Sequence, residues 1–141
     1  MKFRILVGAA LILTMIACVS VSAFQGRSVR DGVYTEDQQK RGRAQFNEKC
    51  ASCHNEDLSG GEIAPALFGG NFMANWNGLT VGDLWERIRQ SMPQDNPDRL
   101  NAQQRSDIIA LILSANGFPT GAKELDARVE FLKDIKIEPK K

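Results

Sequence analysis

A five-residue segment, Cys50-Ala51-Ser52-Cys53-His54, contains two of the three cysteines and the only histidine of this 141-residue chain. Two thiols three positions apart lie on nearly one face of a helical turn, so both can add to the vinyl groups of one porphyrin as thioethers. The imidazole follows directly and can reach the iron once the ring is attached. The C-x-x-C-H pattern therefore predicts covalent attachment of a c-type haem.

Other chemistries of paired cysteines fit this segment less well. A thioredoxin-like C-x-x-C motif requires a βαβ context, which the surrounding helical patterns do not provide. A structural zinc site requires four ligands, and the sequence offers no second Cys/His pair. A disulfide between Cys50 and Cys53 remains an alternative in an oxidising compartment, but it gives His54 no role.

The N-terminus has the pattern of a secretory signal. Two basic residues, Lys2 and Arg4, precede an uncharged and mostly apolar run at 5–17, which is too short to span a membrane comfortably. Val, Ser and Ala at 21–23 supply the small side chains of a signal-peptidase site. Residues 1–23 are therefore predicted to be a signal peptide, and the mature protein is expected in the periplasm or cell envelope.

Cys18 introduces an alternative to simple cleavage after residue 23. It directly follows the apolar run, with Ala17 before it, and so resembles a lipoprotein cleavage site, although Met15 stands where such sites usually carry Leu. A lipid anchor at Cys18 is the alternative to its removal with the signal peptide. No other segment approaches 18 apolar residues, so we expect no transmembrane span in the mature chain.

Charge and local patterning indicate one helical domain. The 18 Lys and Arg are balanced by 17 Asp and Glu, which gives no reason to expect nucleic acid as a partner.

Within residues 35–119, Gly42 indicates that another element packs closely on the first helix. A flexible lead is predicted at 24–34, a glycine-rich loop at 55–79, and a C-terminal extension at 120–141 that could form a short helix or strand. Three helices with capping boxes are predicted to start at Thr35 with Gln38, at Thr80 with Asp83, and at Asn101 with Gln104.

The second iron ligand must come from a residue other than histidine, since His54 is the only one. Two of the four methionines lie in the predicted signal peptide, which leaves Met73 and Met92. Met92 precedes Pro93 at the end of the second helix, in a loop that can bend back toward the ring, whereas Met73 is interpreted as core packing. We therefore predict that His54 and Met92 bind the iron. A thioether ligand raises the reduction potential of the iron.

Further residues occur in an order that is typical of one protein family. The resemblance covers residues 35–119 and is to the class I monohaem cytochromes c of the bacterial, periplasmic type. It implies an all-α fold in which three main helices and loops wrap around one covalently attached haem. The residues that carry it are Gly42, Phe46, the segment Cys50 to His54, Pro65, Leu67, Met92-Pro93 and Asp107-Ile108-Ile109-Ala110.

The resemblance also implies roles for residues outside the attachment segment. The carbonyl of Pro65 matches the proline carbonyl that holds the free N–H of the ligand imidazole, here that of His54. Trp76 is the candidate to bond a haem propionate, while Trp85 is expected in the core. Leu111 replaces the aromatic residue that packs on the glycine of the first helix, so we expect a less tightly defined helix crossing.

The function implied by this family is one-electron transfer without catalysis by the protein itself. The expected partners are redox proteins, such as a dehydrogenase as donor and an oxidase or another cytochrome as acceptor. Residues 116–119 and the extension also resemble cytochromes that serve beside, or fused to, periplasmic quinoprotein dehydrogenases. The alternatives are therefore a haem subunit held permanently to such a dehydrogenase and, less favoured, a five-coordinate haem enzyme or gas- or peroxide-binding protein.

Overall fold

A computed structural model of the protein describes residues 27–139. The predicted signal peptide at 1–23 and Cys18 lie outside the described residues. Across the described range, no helix combines the length and apolar character that a membrane crossing requires.

Five α-helices form the described chain, and three of them are those predicted from the sequence. They are α1 (Glu36–Lys49), α2 (Ala51–His54), α3 (Gly69–Trp76), α4 (Val81–Ser91) and α5 (Ala102–Ala115). Single 3-10 turns lie before α1 at Val29–Asp31, between α4 and α5 at Pro97–Arg99, and after α5 at Val129–Phe131. The helix α3 lies where the sequence favoured a loop. Its apolar residues Phe72 and Trp76, one turn apart, stack at 6.3 Å, which offsets the low helix propensity of its two glycines.

The capping boxes at Thr80 and Asn101 are confirmed, because side chain and backbone bond reciprocally at both helix starts. The box predicted at Thr35 is only half formed. Thr35 Oγ1 accepts from the Gln38 N–H at 3.2 Å, but the Gln38 amide points elsewhere. Its Nε2 donates to Leu125 O at 3.0 Å and its Oε1 accepts from Leu125 N at 2.8 Å, so this side chain fixes the C-terminal extension.

Helices α1 and α5 cross with backbone in contact with backbone. A Cβ placed on Gly42 would lie 2.6 Å from the Asp107 carbonyl carbon and still closer to its oxygen. This explains the glycine inside α1, and it shows that the expectation of a loosely defined crossing was wrong. The crossing does not require an aromatic residue at position 111, where this chain has Leu111. The close approach of the two helices depends instead on the absence of a side chain at Gly42. Arg41 reinforces it by bonding both Asp107 oxygens at 3.0 Å.

The two ends of the described chain pair with each other, which the sequence did not predict. Residues 27–34 are packed rather than flexible: Val29 is buried, and its N–H donates to Lys136 O at 2.9 Å. We call residues 124–139 the C-terminal strap. Its buried residues are Leu125, Leu132, Ile135 and Ile137.

The C-terminal strap also caps α4. Ile135 O accepts from the Val81 N–H at 2.9 Å, and Leu132 O accepts from the Gly82 N–H at 3.0 Å. The first N–H groups of a helix have no intrahelical acceptor, so these carbonyls satisfy donors that would otherwise be unpaired. The strap therefore fixes the start of the helix that leads to Met92.

Candidate haem attachment site

The cysteines and the histidine occupy a single helical turn at the end of α1. Cys50 follows α1, and its carbonyl accepts from the backbone N–H of Cys53 at 3.1 Å and of His54 at 3.0 Å. Both cysteines are free thiols, Cys50 half-buried and Cys53 exposed. Burial raises the pKa of the Cys50 thiol to about 11, so this thiol is protonated at neutral pH until it reacts.

His54 is held by the backbone of the loop that follows it. Its side chain is buried, and Nδ1 lies 3.0 Å from Pro65 O. Because a carbonyl oxygen only accepts, Nδ1 carries the proton and donates it. This contact leaves Nε2 as the ring nitrogen that a metal could bind, which is the arrangement of a histidine that ligates a metal through Nε2.

The loop between His54 and Pro65 is closed by its own backbone. Gly60 N donates to His54 O at 2.9 Å, and Leu67 N donates to Leu58 O at 2.9 Å. Gly60 has φ +66°, and a Cβ there would lie 2.5 Å from Ala64 O. The position thus requires glycine both for its backbone conformation and for the close approach of the proline segment.

The other residues that the sequence singled out lie on α1, on α3 and directly after α4. Phe46 is buried on α1, and its ring centroid is 6.4 Å from that of His54. Met92 directly follows α4 and donates its N–H to Ile88 O at 2.9 Å. Met73 lies on α3 and borders a surface cavity of about 310 Å³. Both methionines are half-buried and packed on the core, so burial alone does not distinguish them.

The two tryptophans differ in environment as the sequence suggested. Trp85 is confirmed in the core, with 6% of its surface exposed. Trp76 is half-buried and stacks on Phe72, which leaves its indole edge as the part that a propionate could contact.

One residue that supports the site was missed from the sequence. Asn116 was not among the predicted site residues, yet its Nδ2 donates to Leu67 O at 3.0 Å and its Oδ1 accepts from Gly69 N at 3.1 Å. It therefore ties the end of α5 to the segment that carries Pro65 and to the start of α3. An Asn followed by Gly at a helix end is too common a signal to reveal this bridging role.

The donor set fits a covalently held haem. Two thiols on one turn, an imidazole held through Nδ1 and a half-buried thioether are the groups that this cofactor requires, and both Met73 and Met92 offer such a thioether. Within residues 27–139 there is no group of three or more His, Cys, Asp or Glu side chains arranged to hold a metal ion.

Comparison with known proteins agrees with this chemistry. Residues 37–112, more than half of the chain, match the family described as cytochrome c oxidase, cbb3-type, subunit III. The chain belongs to this family of c-type cytochromes. The predicted class I cytochrome c, its all-α fold and its electron-transfer role are thereby confirmed, and family membership implies a haem c cofactor.

The relatives of this cytochrome are larger proteins. It is 30% identical over 118 residues to the cytochrome bc1 complex cytochrome c subunit of Corynebacterium diphtheriae, covering 80% of this chain and 40% of that protein. The subunit of the same name in Corynebacterium efficiens is 34% identical over 85 residues, or 57% of this chain and 27% of that one. The chain thus spans at most about two fifths of these curated relatives.

A partial structural likeness was found to the sulfane dehydrogenase SoxCD from Paracoccus pantotrophus. The likeness has a TM-score of 0.46 and 24% identity, and it covers 67% of this chain and 55% of that one.

Proposed function

We propose that the protein is a one-electron carrier of the bacterial cell envelope with one haem c, bound through Cys50 and Cys53 and ligated by His54 and Met92. The observation that carries this proposal is the 3.0 Å contact between His54 Nδ1 and Pro65 O, beside two free thiols on the same turn. A haem held there supplies one-electron exchange between Fe(II) and Fe(III).

Each of these residues has a separate task. Cys50 and Cys53 fix the position of the ring through two thioether bonds. Pro65 fixes the rotation of the imidazole and holds its Nδ1–H, which increases the basicity of Nε2. Met92 offers a neutral sulfur, a ligand that raises the reduction potential. Trp76 is proposed to donate its indole N–H to a propionate.

Ligation by Met92 is tested by the near-infrared absorption band of a Met–Fe(III) bond. We expect the oxidised protein to show this band at neutral pH, Met92→Ala to lose it while haem stays covalently attached, and the matched control Met73→Ala to keep it. Loss of the band in Met73→Ala but not in Met92→Ala would transfer the ligand role to Met73. Absence of the band from the unmodified protein would favour the five-coordinate alternative.

Export and processing are part of the proposal. A mass spectrum of the mature protein is expected to show the mass of one haem on a chain that starts at Phe24. A lipid-modified chain that starts at Cys18 would instead support anchoring. A colourless product from a host competent in cytochrome maturation would contradict the whole proposal.

A second candidate function is a haem subunit bound permanently to a dehydrogenase or another redox complex. It is favoured by the names of the relatives, which are subunits of a complex. Co-purification in a stable complex at native expression level, after a salt wash that removes transient partners, would support it. Recovery of the protein alone would support the free carrier.

A further inference from the structure

Two buried donor atoms, one on α4 and one on α5, have no hydrogen-bond acceptor within the described chain. They are the indole Nε1 of Trp85 and the guanidinium Nε of Arg105. Trp85 is 6% exposed and Arg105 is 9% exposed. Buried polar groups without a partner are rare in folded proteins, and each one calls for a group that satisfies it.

The two donors form one site because their side chains stack. Arg105 Cζ lies 5.0 Å from the centroid of the Trp85 ring, which is within cation–π distance. This contact uses the face of the indole. The N–H groups of both side chains lie in the plane of each group, so the stacking itself does not use them.

Arg105 is also without a neutralising carboxylate. None of the ion pairs found among residues 27–139 includes it. Glu86 pairs with Arg89 at 2.7 Å. Burial, and then the charge of Arg89, lower the pKa of Arg105, whereas Asp98 and Glu86 oppose this shift without forming an ion pair with it. Arg105 therefore carries a positive charge that no carboxylate of the described residues contacts as an ion pair.

We propose that Trp85 and Arg105 form a binding site for a small oxyanion, either a carboxylate or a phosphate. A guanidinium presents parallel N–H groups that match two oxygens of such a ligand, and the indole N–H adds a third donor. The positive charge of Arg105 disfavours a cation at this position. The site joins α4 to α5, and it is independent of the haem ligation proposed above.

Access to the site sets the expected affinity. Nε of Arg105 is inaccessible to solvent, so the guanidinium must shift on the ring before a ligand can reach it. That shift weakens binding, and we expect affinity in the millimolar range. Bound oxyanion would link both helices and raise the stability of the folded state by mass action.

The test uses the reduced, haem-loaded protein labelled with ¹⁵N and titrated with sodium phosphate at constant ionic strength. The Trp85 Nε1–H and Arg105 Nε–H resonances are expected to shift along one saturable curve. Trp85→Phe, which keeps the ring, identifies the indole peak and is expected to weaken phosphate binding. Sodium acetate in a parallel titration distinguishes a carboxylate ligand from a phosphate ligand, and saturation by either supports the proposal.

Arg105→Gln is expected to weaken binding about tenfold or more, because the charged donor is lost. The matched control is Arg99→Gln, since Arg99 is exposed and paired with Asp95 at 2.9 Å, and it should bind as the unmodified protein does. If Arg105→Gln does not fold, Arg105→Lys retains the charge but lacks the planar fork, and it should also bind more weakly. Shifts that do not saturate, that sodium chloride reproduces, or that persist in these Arg105 variants overturn the proposal.

Discussion

Substitution of Gly42 by Ala is expected to destabilise the protein, although Ala is the better helix former. The new Cβ would lie 2.6 Å from the Asp107 carbonyl carbon and closer still to its oxygen, and since ordinary contacts begin at 3.4 Å, α1 and α5 must separate by more than about 0.8 Å. The clash is with backbone, so no side chain can rotate to relieve it. Separation would also lengthen the two 3.0 Å bonds between Arg41 and Asp107.

The net effect follows from two opposing contributions. Overpacking of this kind costs about 1–3 kcal/mol, and several losses coincide here, so the upper part of that range applies. The higher helix propensity of Ala returns about 1 kcal/mol. We therefore expect a net loss of about 1–2 kcal/mol in the free energy of unfolding, measured by guanidinium chloride titration with the Soret band and far-UV circular dichroism as probes.

Gly70 provides a matched control within the same molecule. It lies inside α3, and a Cβ added there would meet nothing within 4 Å. Gly70→Ala should therefore stabilise the protein by about 0.5–1 kcal/mol. If Gly42→Ala proved neutral, or as stabilising as Gly70→Ala, the argument that backbone contact sets the helix crossing would be refuted.

Three further predictions concern the loop and the C-terminal strap. Gly60→Ala is expected to push the Pro65 carbonyl away from the imidazole, and a changed chemical shift of the imidazole Nδ1–H in the reduced protein would report it; an unchanged shift would contradict this. Gln38→Ala leaves a buried backbone N–H and C=O unpaired and should cost about 1–3 kcal/mol in chemical unfolding; a smaller loss would mean that water replaces the amide. The Arg128 side chain, through its hydrogen bonds, lowers the pKa of Asp126 from 3.8 to about 2, so the stability from this pair is complete above pH 4 and is lost as pH falls toward 2. A carboxyl titration by NMR should show this low pKa, and Arg128→Gln should return it toward 3.8.

Local signals in the sequence predicted much of the fold and of the site. Three helix starts were located from their N-cap residues, and two of the three capping boxes are formed as expected. The thiols and the imidazole were located from five consecutive residues, because their geometry depends on a single helical turn. The contact between His54 and Pro65 came from resemblance alone, since no local rule links residues eleven positions apart.

The features that were missed depend on contacts between distant parts of the chain. The Gln38 amide bonds Leu125 across 87 positions, and no capping rule distinguishes that partner from the local one. Arg105 lies among polar residues at the start of α5, so its burial against Trp85 was not visible in the helical pattern. Likewise, the glycines of α3 indicated a loop, and only packing of its aromatic residues accounts for the helix.

The pairing of Ser28 with Lys136 places both ends of the described domain on one side. Arg27 O and the Lys136 N–H are 2.8 Å apart in their hydrogen bond. A short linker could therefore join these ends, and a circular permutant opened at a distant exposed loop should be accessible to protein engineering. A module attached directly at residue 27 or residue 139 would emerge from this same side, which leaves the opposite side of the described domain unobstructed by such a fusion.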